Sequence, residues 1–205
     1  MTPLRETFAA PAAGHGRHVK QSGGHGQYAV CDIDVEPLAR GGGFEFVDKT
    51  VGGVIPGTFI SSVEKGVRAQ MQKGLAAGFP VVDLRVTLVG GKAHSVDSSD
   101  AAFQAAGALA LREAAAAGRI QLLEPVSSVS ITVAEEHVGA VMSDLSARRG
   151  RLTGTVSSGG ELTEISAEVP DQELLKYAVE LRALTAGTGR FRRRYLRHDP
   201  VPSNS

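Results

Sequence analysis

The sequence lacks several features that would place it in a common class of protein. It has one cysteine, Cys31, in 205 residues, which excludes a disulfide framework and favours a cytoplasmic protein. No apolar run approaches the roughly 20 residues that a membrane-spanning helix requires. The first residues carry no apolar segment of the kind found in signal peptides. We therefore expect a protein without a membrane partner.

The chain also has no net charge, with 22 Lys and Arg against 22 Asp and Glu. Proteins that bind nucleic acids by indiscriminate electrostatics are usually basic overall, so that class is disfavoured. Two local clusters of arginine remain, and each is either a solvated face or a surface for an anionic partner. Their members are Arg148, Arg149 and Arg151, and then Arg190, Arg192, Arg193, Arg194 and Arg197.

Signatures of catalysis and of metal binding are missing as well. A P-loop follows the pattern G-x-x-x-x-G-K-[ST], and the Gly-Gly-Lys stretch at 90–92 lacks the upstream glycine and the following hydroxyl. His15, His18 and His25 lie on a Gly-rich stretch without the rigid spacing of a zinc site. No Gly-x-Ser-x-Gly elbow presents a nucleophilic serine. We predict no catalytic site, cofactor or metal in this chain.

The first 123 residues have the pattern of an α+β module. Strands are predicted over 27–36, 44–48 and 81–89, and helices from about Thr58 to Gly74 and over 99–117. The Gly-rich segments 9–26 and 90–95 are predicted to be loops. Asp97 and Ser98 are the predicted N-cap residues of the second helix.

Residues 124–205 predict a second module. Strands are expected over 126–133, 151–157, 162–169 and 190–197, with a hairpin turn at Gly159-Gly160. Helices are expected over 135–149, with Gly150 at the C′ position, and from Pro170 onward. A connector is expected at 124–125. The order β-α-β-β-α-β is the ferredoxin-like pattern.

Two loops of small side chains stand out once catalysis is set aside. One covers 22–26 and the other 91–95. Loops with few side chains let a partner approach the backbone closely. If the strands that carry them are neighbours, both loops lie at the same end of the first module.

Several motifs, in the right order along nearly the whole chain, resemble bacterial elongation factor G. The segments that resemble its domain IV are HVKQSGGHGQY at 18–28, GGVIPG at 52–57, PVVD at 80–83 and VDSS at 96–99. The segments that resemble its domain V are LEP at 123–125, SDLSARRG at 143–150, AEVP at 167–170 and LRALT at 181–185. The resemblance implies a ribosomal protein S5 domain 2-like module over 1–123, followed by a ferredoxin-like module over 124–205.

The resemblance also implies a function. The chain would be the ribosome-contacting C-terminal portion of a GTPase that promotes tRNA and mRNA translocation, with GTP and magnesium bound in an upstream domain. The expected partners are ribosomal RNA at the decoding region and the GTPase-associated region, together with tRNA and mRNA, and the chain is expected to be a monomer. The residues that match the two tip loops are Ser22, Gly23, Gly24, His25, Gly26 and Gln27, and then Lys92, His94 and Ser95.

The sequence departs from the family pattern at both loops. The usual tip reads Tyr-His-Asp before Val-Asp-Ser-Ser, whereas Ala93 and Ser95 flank His94 here. His25 stands where arginine is common in translocases. These departures indicate a divergent paralogue, so the parent is a translocase, a recycling factor, an antibiotic-protection protein or an inactive relative. The alternative is an interaction module that reuses this architecture outside translation.

Overall fold

The computed structural model describes residues 2–21 and 23–202, which form two compact units. One unit is Arg5–Leu123, and the other consists of Met1–Leu4 and Glu124–Ser205. Each unit packs helices on a sheet, so the predicted α+β class is confirmed. In the described part of the chain, no helix is long and apolar enough to cross a membrane.

The Arg5–Leu123 unit is a four-stranded sheet covered by two helices. Its elements are β1 (Arg5–Phe8), β2 (Ala12–Lys20), β3 (Gln27–Pro37), β4 (Phe44–Asp48), α1 (Gly57–Lys73), β5 (Leu84–Ala93) and α2 (Asp100–Ala117). The sheet order is β2-β3-β5-β4, in which only β4 and β5 are parallel. The helix α1 connects these two parallel strands. Buried residues such as Ile33, Val63, Leu88 and Phe103 form the core between the sheet and the helices.

The prediction of a loop over residues 9–26 was wrong for half of its length, because β2 occupies Ala12–Lys20. Its glycines reflect a packing requirement. A β-carbon on Gly14 would lie 1.9 Å from the carbonyl oxygen of Ala110, and one on Gly16 would lie 1.9 Å from that of Ala106. The backbone of β2 therefore touches the backbone of α2, which only glycine permits.

The predicted loop at 90–95 was wrong in its first half, since β5 continues through Gly90 and Gly91 to Ala93. The N-cap prediction was also wrong. Ser99 caps α2, and its hydroxyl accepts a hydrogen bond from the backbone N–H of Ala102. Strand β5 and the loop after it therefore extend further along the chain than the sequence pattern indicates, and α2 begins later.

A buried carboxylate ties β1 to the segment that follows α1. Glu6 is 0% exposed, and its oxygens accept hydrogen bonds of 2.7–3.1 Å from the backbone N–H groups of Leu75, Ala76, Ala77 and Phe79. Burial raises the pKa of Glu6, but the four N–H donors outweigh burial and hold that pKa below its ordinary value. The charged carboxylate is thus an integral part of this fold.

The second unit has the predicted ferredoxin-like order. Its elements are β6 (Ile120–Ala134), a 3-10 helix (Glu135–His137), α3 (Val138–Ala147), β7 (Arg151–Ser157), β8 (Leu162–Pro170), a second 3-10 helix (Asp171–Leu174), α4 (Tyr177–Leu184) and β9 (Arg190–Pro200). The strand order is β9-β6-β8-β7. The core includes Ile131, Leu145, Ile165 and Leu181.

The helix predicted over 135–149 is confirmed as a 3-10 turn over Glu135–His137 followed by α3. Two other local predictions were wrong. Residues 124–125 belong to β6, whose first residues, Ile120–Leu123, lie in the Arg5–Leu123 unit and pair with β1 there. The left-handed residue after α3 is Arg149, with φ of 58°, and not Gly150. A β-carbon on Gly150 would instead lie 2.5 Å from the carbonyl oxygen of Leu145.

Candidate functional site

The two predicted loops lie together at one end of the Arg5–Leu123 sheet. The strands β2 and β3 form a hairpin whose last pair is Lys20 and Gln27. The strand β5 is antiparallel to β3, with Ala93 opposite Ala29. The loop between β2 and β3 (21–26) and the loop between β5 and α2 (94–99) therefore adjoin. The expectation that both loops share one end holds in this structure.

Hydrogen bonds join the second loop to the start of β3. The backbone N–H of Tyr28 donates to the carbonyl oxygen of Asp97 at 2.9 Å. The Ser98 hydroxyl donates to the carbonyl oxygen of Tyr28 at 2.7 Å and accepts from the backbone N–H of His94 at 2.8 Å. Ser98 is thus occupied in closing the loop, which explains why it does not cap α2.

The two loops also meet directly at Gly26. A β-carbon at this position would lie 2.9 Å from the carboxylate of Asp97. The end of the Asp97 side chain therefore lies against the backbone of the first loop, and a larger residue at position 26 would require that side chain to move. Asp97, which the sequence indicated only as a helix cap, is a structural link between the loops.

His94 is half exposed and is oriented by its neighbours. Its Nδ1 accepts hydrogen bonds from the backbone N–H groups of Val96, at 3.3 Å, and Asp97, at 3.2 Å. An Asp97 carboxylate oxygen also lies 3.5 Å from Nδ1, but two N–H donors require a lone pair on that atom, so we assign the proton to Nε2. The ring lies 6.0 Å from the Tyr28 ring, centroid to centroid. His94 thus carries an N–H donor on an ordered ring at the loop surface.

The other predicted tip residues fall into three groups. Ser22 lies outside the described residues. Gly23, Gly24, His25 and Ser95 are exposed in the loops. The residues of the last group lie in strands. Gln27 begins β3, and its Oε1 lies 2.6 Å from His18 Nε2. Lys92 is an exposed residue of β5 opposite Val30. Val96, which the sequence did not single out, is 69% exposed beside His94.

The first arginine cluster is held in ion pairs. Arg148 bonds to Asp144 and Glu180, and its guanidinium lies 5.0 Å from the centroid of the Tyr177 ring. Arg149 bonds to Glu124 and Glu173. These pairs leave little free positive charge at either position.

The third member of that cluster, Arg151, shares a carboxylate with another strand. Arg197 and Arg151 both bond to Glu168 at 2.7 Å. Their hydrogen bonds lower the pKa of Glu168 to about 2. Arg151 is nevertheless well exposed, with 68% of its side chain accessible. The role of this cluster in binding remains a prediction.

The second arginine cluster is different. Arg190, Arg192 and Arg194 are exposed on β9, and within residues 2–21 and 23–202 none of them forms an ion pair. Arg190 and Arg192 line a shallow groove of about 690 Å³ together with Ser130, Thr132 and Glu164 of the neighbouring strands. Arg197 of the same cluster is paired with Glu168 and Asp199, whereas Arg190, Arg192 and Arg194 are free to meet an anion.

Cys31 of β3 and His15 of β2 lie on adjacent strands, and the structure defines the environment of each. Burial, and then the charge of Asp32, raise the pKa of the Cys31 thiol to about 12, so it is protonated at neutral pH. His15 is bonded to Asp32 at 2.6 Å. Across residues 2–21 and 23–202 no three potential metal-ligating side chains of the His, Cys, Asp and Glu types cluster.

Comparison with protein families identifies two consecutive matches. The family model described as "Elongation factor G, domain IV" matches residues 1–119. The model described as "Elongation factor G C-terminus" matches residues 121–205. Together they account for nearly the whole chain.

Individual proteins give the same result. An elongation factor G-like protein of Mycobacterium tuberculosis (strain CDC 1551) is 64% identical over 203 residues, which is 99% of this chain and 28% of that protein. Elongation factor G of Aquifex pyrophilus is 49% identical over 200 residues, 98% of this chain and 28% of that protein. A crystal structure of a Thermus thermophilus protein superposes with a TM-score of 0.89 at 39% identity, covering 98% of this chain and 30% of that one. The chain thus spans less than a third of the length of these relatives.

Proposed function

The chain belongs to the elongation factor G family and corresponds to its domain IV and C-terminal domain, and from this premise we propose that it is the ribosome-contacting portion of a translation GTPase. In this proposal the parent protein acts in the cytoplasm on tRNA and mRNA translocation or a related ribosomal step. GTP and magnesium bind to a domain upstream of this chain. The chain itself acts by contact and not by catalysis.

The observation that carries the proposal is the pair of joined loops at 21–26 and 94–99. Gly26 and Asp97 pack without a side chain between them, and Ser98 closes the second loop. The result is an end of the unit at which hydrogen bonds close the second loop, with His94 and Val96 exposed to solvent. A pre-organised loop surface with one directed N–H donor suits the recognition of a folded RNA surface, because little ordering free energy is lost on binding.

We expect the double substitution His25→Ala and His94→Ala to weaken binding of the 205-residue chain to 70S ribosomes by about tenfold, equivalent to about 1.4 kcal/mol. Both side chains are exposed, so the substitutions should leave the free energy of unfolding nearly unchanged. Co-sedimentation at low salt measures the binding, and circular dichroism during urea unfolding measures the stability.

The matched control is His15→Ala with His198→Ala, which removes two histidines away from the loops. It should bind ribosomes like the unsubstituted chain. Equal binding by both double variants would show that the loops are spacers, and no binding by the unsubstituted chain at low salt would contradict the proposed function.

A second prediction concerns the β9 arginines. Arg192→Gln with Arg194→Gln should make ribosome binding less sensitive to salt, because each lost phosphate contact removes counterion release. The slope of log K against log salt should fall by about 1.4 to 1.8 for two contacts. The control, Lys176→Gln with Arg182→Gln, removes two exposed cations of the same unit. A slope that both variants lower equally would assign the β9 arginines to general surface charge.

A further inference from the structure

The strand β7 (Arg151–Ser157) is an edge of the sheet in the second unit, and this edge carries almost no charge. In the described part of the chain β7 pairs with β8 alone, so its other side presents backbone N–H and C=O groups to solvent. No charged residue occurs between Arg151 and Glu161 in the sequence, and β7 is exposed from Thr153 to Ser157. The edge is therefore open to pairing with a further strand.

The edge strands β2, β4 and β9, by contrast, carry exposed charged side chains. Charged residues are a usual protection of sheet edges, because a second chain would have to desolvate them or bring like charges together. The charged residues are Arg17 and Lys20 on β2, Glu45 and Asp48 on β4, and Arg190, Arg192, Arg193 and Arg194 on β9. The strand β7 lacks this protection, apart from Arg151 at its first position.

Two exposed aliphatic side chains accompany this edge. Val156 is 68% exposed, and Leu162 on β8 is 43% exposed. Val156 lies opposite Glu164 in the ladder, and Leu162 is two residues from Glu164 on the same face of β8. That face is the one away from the helices, because the intervening residues of β8, such as Ile165, are buried in the core. Val156 and Leu162 are thus diagonal neighbours on the open face, about 7 Å apart.

The sequence of β7 is complementary to itself in an antiparallel pair. A two-fold axis that passes through Val156, perpendicular to the sheet, places Val156 opposite its own copy and Thr155 opposite Ser157 of the second copy. Such an axis keeps each face of the sheet on its own side, so the two Val156 side chains lie together on the open face, each beside its own Leu162. Thr155 and Ser157 lie on the helix side, since their partners in β8 are buried, and Thr–Ser pairs across strands are favourable.

The charges at the two ends of the hairpin fit the same arrangement. Arg151 and Glu161 are equally far from Val156 along the chain, on opposite sides of it. The two-fold axis therefore brings the Arg151 end of one copy toward the Glu161 end of the other, and both side chains are exposed. The Glu164 carboxylates of the two copies are separated by three strand spacings, about 14 Å, which is beyond the screening length at physiological salt.

We infer that β7 is a self-association site, through which two copies of the chain join their sheets across a two-fold axis at Val156. The product is one continuous sheet that runs β9-β6-β8-β7 and then through the second copy in reverse order. A bulge between Leu152 and Gly154 limits regular pairing to the residues that follow it, so the association is weak and depends on concentration. It is independent of the ribosome contact proposed above.

Sedimentation velocity of the 205-residue chain between about 10 μM and about 1 mM measures the association. The sedimentation coefficient should rise with concentration toward that of a dimer. Val156→Lys should weaken the association at least about tenfold, because it puts like charges opposite each other at the axis. The matched control is Val51→Lys, since Val51 is 78% exposed in the other unit, and it should associate like the unsubstituted chain.

A mixture of two variants tests the position of the axis. Val156→Glu alone should also associate weakly, but an equimolar mixture of Val156→Lys and Val156→Glu should associate again, because opposite charges then face each other. Urea unfolding should give the same stability for all variants, since both positions are exposed. A chain that stays monomeric up to about 1 mM, a mixture no better than either variant alone, or an equal loss with Val51→Lys would overturn the proposal.

Discussion

Glu6→Gln is expected to lower the free energy of unfolding of the Arg5–Leu123 unit by about 3 kcal/mol, the range for losing a buried charged hydrogen-bond acceptor. The amide keeps the size of the side chain but replaces one oxygen by an N–H donor. Each Glu6 oxygen accepts from two backbone N–H groups, so two of the four donors would face another donor. Buried donors without partners carry the full cost of desolvation.

Urea unfolding followed by circular dichroism measures the change in the free energy of unfolding. Hydrogen exchange measures the protection of individual backbone amides. The amides of Leu75, Ala76, Ala77 and Phe79 should lose protection in the variant. The control is Glu113→Gln, the same chemical change at an exposed carboxylate, with an expected effect within about 0.5 kcal/mol. Unchanged protection of those four amides would contradict the role assigned to Glu6.

The same contacts set a pH dependence with a defined sign. The pKa of Glu6 is lower in the folded chain than its ordinary value of about 4.3. The stabilisation is therefore fully present above that ordinary value and is lost as the pH falls through the lowered value in the folded state. In Glu6→Gln this component of the acid unfolding profile should disappear.

Gly16→Ala is expected to destabilise the same unit by about 3 kcal/mol, at the upper end for overpacking. The new β-carbon would lie 1.9 Å from the Ala106 carbonyl oxygen and 2.8 Å from the Ala110 backbone nitrogen. Both are backbone atoms of α2, so no flexible side chain is able to move aside. The helix itself would have to shift away from β2.

Gly57→Ala is the matched control, because a β-carbon there meets nothing within 4 Å at the exposed first residue of α1. It should leave stability unchanged or raise it slightly, since alanine favours helices over glycine. If Gly16→Ala were as stable as Gly57→Ala, the close approach of β2 to α2 would not be required.

Much of the order of elements was predictable from the sequence. The strands Phe44–Asp48 and Arg151–Ser157 have the predicted bounds. Glycine was the main source of error. In β2 and β5 it marks places where another backbone or side chain comes close, as Ile55 and Val30 do at Gly91, whereas sequence rules associate glycine with turns.

Proline caused a similar error at Pro125. A proline inside a strand argues against the strand because it cannot donate to the ladder. Here it lies between two ladders of β6, after the pairing with β1 ends at Leu123 and before the pairing with β8 begins at Val126. Only the three-dimensional pairing shows why the strand continues.

The loops of the candidate site were predictable from the sequence, but the ion pairs of its arginines were not. Local motifs located His25 and His94. The ion pairs of Arg149 with Glu124, 25 residues away in sequence, and with Glu173 depend on tertiary contacts.

Because Cys31 is buried, the rate of its chemical labelling can report the unfolding of one unit. The thiol is the only one in the sequence and is 0% exposed within the core of the Arg5–Leu123 unit. A thiol reagent in excess therefore reacts only when that core opens, and the labelling rate reports the opening rate when reaction is faster than reclosing. Unfolding of the other unit, which has no thiol, does not change the labelling rate. The unfolding kinetics of one unit can therefore be measured in the intact chain.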